Sequence, residues 1–348
     1  MMKNYCDYFP AAIKHLLCSS PKEYHYCDFF DQALVFYPES ISPCCIGVDV
    51  PPPQMPFSGG ELSIDTYQAW LRELNQLNQT SEGPCRGCRY LRLMEGKKEI
   101  ESQFRTVTLG NYHPCNAKCS FCSCWKVDPK TKQYYSLTKP VVQMIEKGMM
   151  HKEAIFTWSG GEPTILDEFP ALAQYIAAKG FKQSILSSGI KFSPELAELL
   201  TLGNTTLQVS LDSGTPETYL KFKGRDVFYR ILENLERYAS NSVAKKNITL
   251  KYIMCNETCE DNDIEGFIAL CKKLKIQNVS LSPEIYESKD NKTFPSTIEQ
   301  MVKFTSLLTL DGLSITILYE LFQEKYIQLF KSGMVKSINR LQQVAKIS

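Results

Sequence analysis

Six short apolar segments, separated by amphipathic helices, constrain the fold more than any other feature of this 348-residue chain. The predicted strands span residues 105–109, 154–158, 182–187, 206–211, 248–254 and 278–282. Between them, apolar residues recur at the helical period, as in the run from Phe169 to Ala177. Because strands that alternate with helices form parallel βαβ units, we expect an α/β fold closed, or nearly closed, into a barrel.

The regions on either side of this alternation have a different character. A predicted hairpin, a connector rich in proline and glycine, and a predicted helix come before it, and two predicted helices follow it. These segments are, in order, 33–37 with 41–45, 46–60, 62–77, 297–308 and 318–344. We therefore expect a cysteine-rich module over residues 1–100, a barrel over 101–290 and a helical extension over 291–348.

Three cysteines follow the first predicted barrel strand at the spacing CxxxCxxC, namely Cys115, Cys119 and Cys122. Three thiolates at this spacing can ligate three irons of a [4Fe–4S] cluster and leave the fourth iron open. An open position is typical of a metal that takes part in chemistry. The alternative is a structural zinc site, for which Cys124 or His113 would supply the fourth ligand.

A second motif follows the second predicted barrel strand: Ser159-Gly160-Gly161-Glu162-Pro163. Its glycines allow the backbone to approach a ligand closely, and Glu162 offers a carboxylate to an ammonium group. The carboxyl ends of parallel strands meet at one face of a barrel. The glycine motif and the three cysteines are therefore predicted at the same mouth.

With both motifs in place, residues 105–285 resemble the radical S-adenosylmethionine (radical SAM) superfamily. The resemblance implies a partial (β/α)6 TIM barrel and an enzyme that uses a [4Fe–4S] cluster and SAM. The cluster would cleave SAM reductively to a 5′-deoxyadenosyl radical, which abstracts hydrogen from a substrate C–H bond. By the same resemblance, Cys115, Cys119 and Cys122 bind the cluster. The residues implied in SAM binding are Phe121, Gly160, Gly161, Glu162, Ser187, Ser210 and Asp212.

Four further cysteines in the first hundred residues suggest a second metal site: Cys27, Cys44, Cys85 and Cys88. They resemble the auxiliary-cluster modules, called SPASM or twitch, of radical SAM enzymes, although here they precede the barrel. Four thiolates would close an iron–sulfur cluster or a zinc site. Cys44 and Cys45 compete for one ligand position, and the hairpin favours Cys44. A cluster here would accept an electron from the substrate, relay electrons or anchor the substrate.

The remaining expectations concern the reaction and its partners. Cys255 follows the fifth barrel strand and is a candidate hydrogen donor to a product radical, although an inert buried cysteine is the alternative. The expected substrate is a small molecule, a carbohydrate or a peptide. A reductant such as flavodoxin or ferredoxin would supply electrons. The net reaction would be of the oxidoreductase, epimerase or maturase type.

Composition excludes some functions and leaves two other classes open. Lys and Arg total 39 against 38 Asp and Glu, so no charge excess favours a nucleic-acid or membrane partner. Neither a signal peptide nor a membrane-spanning segment is evident, and fourteen cysteines without a secretory signal indicate metal ligands and a cytoplasmic protein. The alternatives are an iron–sulfur electron carrier or sensor without SAM chemistry, and a zinc-stabilised binding protein.

Overall fold

A ten-stranded sheet forms the framework of the protein, seen here in a computed structural model. The structure describes residues 23–27, 29–30, 32–44, 49–80, 82–95, 103–127, 134–255, 260–284 and 294–345. The strands, in chain order, are β1 (Glu23–Tyr26), β2 (Ala33–Phe36), β3 (Ser40–Ser42), β4 (Met55–Pro56), β5 (Arg92–Glu95), β6 (Phe104–Leu109), β7 (Met150–Trp158), β8 (Lys182–Ser187), β9 (Thr205–Ser210), β10 (Ile248–Met254), β11 (Asn278–Pro283) and β12 (Ser314–Ile317). Strands β1 and β5 form a separate antiparallel pair.

The large sheet contains the predicted barrel at its centre. Its order is β12-β11-β10-β9-β8-β7-β6-β2-β3-β4, and every neighbouring pair from β12 to β2 is parallel. Strands β6 to β11 are the six predicted ones, which confirms the α/β fold with a partial TIM barrel. Two further parallel strands flank the six. One of them, β2, also forms the predicted antiparallel hairpin with β3.

Ten α-helices connect or cover the strands in the described part of the chain. They are α1 (Ile64–Leu77), α2 (Thr138–Glu146), α3 (Phe169–Ala178), α4 (Pro194–Leu202), α5 (Pro216–Lys223), α6 (Phe228–Tyr238), α7 (Ser242–Lys246), α8 (Asp261–Leu274), α9 (Phe294–Leu310) and α10 (Glu324–Ala345). The helix predicted over 318–344 begins later than expected. Phe322 is extended and buried, with its ring 6.4 Å from that of Phe294, so helix α10 starts only after this packing contact.

Alternation along the barrel strands determines which residues reach the interior. In β10, residues Ile248, Leu250, Tyr252 and Met254 are buried, whereas Lys251 and Ile253 are partly exposed. Successive side chains of a strand point to opposite faces, so the buried set packs beneath the helices and the other set faces the barrel interior. No helix in the described part of the chain combines the length and the hydropathy needed to cross a bilayer.

Candidate active site at the barrel mouth

A cavity of about 210 Å³ opens where strands β6 to β10 end. Both sequence motifs contribute to its wall. The lining residues are Cys115, Ala117, Cys119, Phe121, Cys122, Ser159, Gly160, Gly161, Glu162, Leu186, Ser187, Ser188, Ser210, Asp212, Lys223, Lys251 and Ile253. All three cysteines of the CxxxCxxC motif and all seven residues implied in SAM binding therefore share one cavity.

The cysteine loop after β6 is fixed to the end of helix α5 by its main chain. The N–H groups of Lys118 and Ser120 donate to the carbonyls of Lys223 and Phe222, each at 2.9 Å. Within the loop, the Trp125 indole Nε1 donates to the Cys119 carbonyl at 2.8 Å. Apart from a short 3-10 helix over Cys124–Lys126, this segment has no regular secondary structure of its own, so the positions of the thiols are set by their neighbours.

The glycine motif packs directly against the chain that leads into Cys115. The Gly161 N–H donates to the Tyr112 carbonyl at 2.9 Å, and the Glu162 N–H donates to the Pro114 carbonyl at 2.8 Å. A Cβ at Gly161 would lie 2.1 Å from the Pro114 oxygen. Gly160 adopts a φ of +98°, a region that favours glycine. The two glycines thus allow the two motif loops to touch, a contact that the sequence did not predict.

Glu162 is buried and organises the ends of two neighbouring strands. Its Oε1 accepts from the Thr164 N–H at 3.1 Å, the Thr164 hydroxyl at 2.6 Å and the Ser187 hydroxyl at 2.8 Å. Its Oε2 accepts from the Ser188 N–H at 2.6 Å. The Ser188 hydroxyl in turn donates to Asn116 Oδ1 at 2.8 Å, in the cysteine loop. Glu162 therefore faces the cavity as part of a fixed hydrogen-bond network.

Asp212 and Lys223 form a buried ion pair in the same wall. The Lys223 ammonium donates to Asp212 Oδ2, and Asp212 Oδ1 accepts from the Ile253 N–H at 2.9 Å. Asp212 adopts a φ of +56°, which is unusual for a residue other than glycine. Burial alone would lower the pKa of Lys223, but the negative charges of Asp212 and Cys119 raise it above its ordinary value.

A second lysine, Lys251, reaches the cavity from strand β10. In the described part of the chain no carboxylate forms an ion pair with its ammonium group. Burial lowers its pKa, the charge of Asp212 opposes this shift, and the charge of Lys223 adds to it. The cavity wall therefore contains two lysines in addition to its two acidic residues.

The thiols of the cysteine loop differ in their acidity. Burial raises the pKa of Cys115 to about 11. A hydrogen bond with Cys124 lowers the pKa of Cys122 to about 6 and raises that of Cys124. Cys124 Sγ also lies 3.7 Å from the Gly160 carbonyl. Cys122 is thus poised as a thiolate, the form that binds metals.

The four N-terminal cysteines that were predicted as a metal site line one cavity, although no three of them are arranged to share a single metal ion. Cys27, Cys44, Cys85 and Cys88 line a cavity of about 20 Å³. Its other walls are mainly apolar, formed by Phe29, Phe30, Val50, Pro51, Pro52, Pro53, Tyr90 and Leu91. Cys45, the competitor of Cys44, lies outside the described residues. Burial raises the pKa of Cys85, and a hydrogen bond from Asn78 opposes this shift.

A family model described as the radical SAM superfamily matches residues 112–287, about half of the chain. This range begins just before Cys115 and contains the glycine motif, Asp212 and Lys223. The chain belongs to the radical SAM superfamily. Members of this superfamily are enzymes that use a [4Fe–4S] cluster and SAM, and the confirmed barrel is their expected fold.

Curated relatives match only part of this radical SAM protein. A GTP 3′,8-cyclase from Haemophilus influenzae (strain 86-028NP) is 24% identical over 184 residues, covering 51% of this chain and 53% of the relative. The sporulation killing factor maturation protein SkfB of Bacillus subtilis is 29% identical over 121 residues, covering 34% and 29%. The chain thus spans about half the length of the first relatives it matches, and less of others. Streptococcus suis SuiB has a TM-score of 0.49 and 13% identity, over 73% of this chain and 53% of that protein.

The residues at the barrel mouth fit the cofactors of the superfamily. Three thiols without a fourth cysteine in the cavity wall match a cluster with one open iron. The buried hydroxyls of Tyr112 and Tyr219 have no hydrogen-bond partner among the described residues. No group of three or more His, Cys, Asp or Glu in the described part of the chain is arranged to share a single metal ion. The residues therefore fit the cofactors in the kind of ligand atoms that they offer and in their position around one cavity.

The structure separates some predicted residues from the cavity and adds others. Cys255 is 2% exposed at the end of β10 and is not among the residues that line the cavity. Its assignment as a hydrogen donor stays a prediction. Lys223, Lys251 and Ser188 line the cavity, although the sequence did not single out the two lysines. A lysine at the end of a helix or within a strand is ordinarily solvated, so neither carried a sequence signal for the site.

Proposed function

We propose that this radical SAM protein cleaves SAM reductively at the barrel mouth and uses an N-terminal auxiliary cluster in the oxidation of a substrate. Cys115, Cys119 and Cys122 would hold the [4Fe–4S] cluster, with SAM on the open iron. The observation that carries the proposal is the single cavity lined by three thiols, two glycines and Glu162. When both cofactors are bound, they supply the 5′-deoxyadenosyl radical that removes hydrogen from a substrate C–H bond.

The residues around the cavity would bind and orient SAM. The Glu162 carboxylate faces the cavity and is fixed by Thr164, Ser187 and Ser188. It would accept from the ammonium group of SAM with little loss of side-chain entropy, because it is already immobile. Phe121 and Ser210 would bind the nucleoside end. Asp212 would act through Lys223 and Ile253, the partners that its two oxygens contact.

We propose that Cys27, Cys44, Cys85 and Cys88 hold the auxiliary cluster. Four thiols on one cavity wall support this assignment, since four cysteine ligands close a [4Fe–4S] cluster completely. An apolar lining excludes water and would protect such a cluster. The cluster would accept the electron that remains on a substrate radical, which makes the net reaction an oxidation. Zinc in the same site is the alternative.

For the substrate we propose a peptide, with a carbohydrate as the second class. The match to SkfB, a protein named for the maturation of a sporulation killing factor, supports the peptide. The match to GTP 3′,8-cyclases keeps small molecules open. A reductant of the flavodoxin or ferredoxin type would donate the electron for SAM cleavage.

The test is anaerobic reconstitution with iron, sulfide, SAM and dithionite, followed by measurement of 5′-deoxyadenosine. We expect the wild type to form it and Cys115→Ala, Cys119→Ala and Cys122→Ala to form none. Cys124→Ala is the matched control, because Cys124 is adjacent to the motif but is not assigned as a ligand. It should keep the cluster and most of the cleavage.

Other outcomes would identify the competing functions. An iron–sulfur carrier or sensor would bind iron through the same three cysteines but release no 5′-deoxyadenosine. A zinc-stabilised binding protein would contain zinc after expression, and Cys124→Ala would lose it together with the other three variants. Production of 5′-deoxyadenosine that survives loss of all three motif cysteines would contradict the proposal.

A further inference from the structure

The Asp212–Lys223 ion pair is a costly feature that SAM binding alone does not explain. Lys223 is 3% exposed and Asp212 is fully buried. A buried ion pair must overcome a desolvation cost that a pair of apolar residues avoids, so it is often no more stable than such a pair. Its presence in the cavity wall therefore calls for a role in addition to folding.

The pair lies beside the cysteine loop. The Lys223 ammonium is 5.5 Å from the ring centroid of Phe121, which stands between Cys119 and Cys122 in the sequence. Lys223 and all three motif cysteines line the same cavity. The carbonyls of Phe222 and Lys223 also accept the main-chain bonds that hold the loop. The backbone of Lys223 is thus bonded directly to the loop that carries the thiols.

The contacts of the two side chains give the ion pair a direction. The Lys223 ammonium group lies over the ring of Phe121, in the cysteine loop. Asp212 Oδ1 instead accepts from the Ile253 N–H at the end of strand β10, at 2.9 Å. The ion pair is therefore oriented with its cation toward the cysteine loop.

A buried cation at this place has a definite consequence for a cluster. Reduction by one electron makes the cluster more negative by one charge, and a cation in a poorly screened environment stabilises the reduced form. We propose that Lys223, oriented by Asp212, is a positioning residue that raises the reduction potential of the cluster held by Cys115, Cys119 and Cys122. This inference rests on the proposed function, because it requires a cluster at those cysteines.

The experiment is a redox titration of the reconstituted protein, followed by the electron paramagnetic resonance of the reduced cluster. We expect Lys223→Met to change the ratio of oxidised to reduced cluster at fixed potential about tenfold, a shift of about 59 mV to more negative potential for one electron. Lys223→Arg keeps the charge and should restore most of the wild-type value. Lys221→Met is the matched control, since it removes an exposed lysine from the same helix.

A double variant keeps the test valid if Lys223→Met alone fails to fold. Asp212→Asn with Lys223→Met removes both charges and leaves no unpaired carboxylate, and it should still shift the midpoint to more negative potential, by less than the single change. A midpoint equal to that of Lys221→Met, in a variant with full cluster content, would overturn the inference and leave the proposed function intact. Absence of any cluster that depends on Cys122 would overturn both.

Discussion

The two cysteine sites of this protein differ in what surrounds their thiols. At the barrel mouth, three cysteines share a cavity of about 210 Å³ with Glu162, Asp212, Lys223 and Lys251. In the N-terminal region, four cysteines face about 20 Å³ of free space between aromatic rings and prolines. The first site has room and charges for a further polar ligand. The second has a mainly apolar lining, as expected of a metal group whose ligands all come from the protein.

This difference in surroundings follows from how each site is built. The barrel-mouth cysteines lie on one loop, and the ends of parallel strands add polar residues to the wall. The N-terminal thiols come from separate segments, so apolar packing between those segments has to bring them together. Chemistry with an external ligand is therefore expected at the barrel mouth, and electron acceptance or structural support is expected at the N-terminal site.

The largest effect that would sharpen the comparison is selective loss of metal. Cys85→Ala with Cys88→Ala should reduce reconstituted iron from about eight to about four per chain while SAM cleavage survives. Cys119→Ala with Cys122→Ala should remove a similar amount of iron and abolish cleavage. Metal analysis and 5′-deoxyadenosine measurement check both. Unchanged iron in the first variant would remove the auxiliary cluster.

The neighbours Cys44 and Cys45 form a matched pair for the same measurement. Cys44 lines the N-terminal cavity, so Cys44→Ala should lower the iron content in the way that the Cys85 and Cys88 changes do. Cys45→Ala should leave the iron content at the wild-type value. If Cys45→Ala lost the iron instead, the two cysteines would exchange roles.

A smaller but still large effect is expected from the contact between the two motif loops. Gly161→Ala would place a Cβ 2.1 Å from the Pro114 carbonyl oxygen, so the backbone has to move. We expect a loss of at least about 2 kcal/mol in the free energy of unfolding, together with loss of SAM cleavage. Gly148→Ala is the control. Gly148 has a φ of +68° with open space around it, so only conformational strain of about 1 kcal/mol is expected there.

Much of the fold could be predicted because it depends on local periodicity. Strands β6 to β11 lie within a few residues of the predicted segments. Both the alternation of strands with helices and the helical spacing of apolar residues can be recognised from residues that are close together in the sequence. The cysteine and glycine motifs likewise indicated the site by their spacing. The Asp212–Lys223 pair could not be found this way, because the burial of Lys223 depends on a loop about a hundred positions earlier in the chain. The hydrogen-bond role of Glu162 also depends on Ser187, which ends the next strand, and on Ser188, which follows it.

The network around Glu162 predicts an intermediate effect. In Glu162→Gln, the amide group would meet N–H and hydroxyl donors where the carboxylate accepted four hydrogen bonds. We expect a loss of about 1–3 kcal/mol in unfolding free energy and weaker SAM binding. Thr164→Val removes one donor and leaves the carboxylate facing the cavity, so it should lower stability by less. Equal SAM affinity in the wild type and Glu162→Gln would exclude a direct role for Glu162.

The smallest expected effect concerns the attachment of the N-terminal region to the C-terminal one. Arg89 donates to both oxygens of Asp49, at 2.7 and 2.8 Å, and to the Phe322 carbonyl at 2.7 Å. The hydrogen bond from Arg89 lowers the pKa of Asp49 below its ordinary value. The ionised carboxylate therefore contributes stability above the pKa of the unfolded chain, near 4, and this contribution is lost as the pH falls through the lower folded-state pKa. Asp49→Asn should cost up to about 1 kcal/mol at pH 7, and the difference from the wild type should shrink on acidification. Chemical denaturation at pH 7 and at a pH below the folded-state pKa of Asp49 measures this difference.

Glu153→Gln is the control for this prediction. Glu153 and its partner Lys182 are each more than half exposed, so that change should have almost no effect. A difference for Asp49→Asn that stayed constant with pH would show that the charge of the Asp49 carboxylate is not the source of this stabilisation.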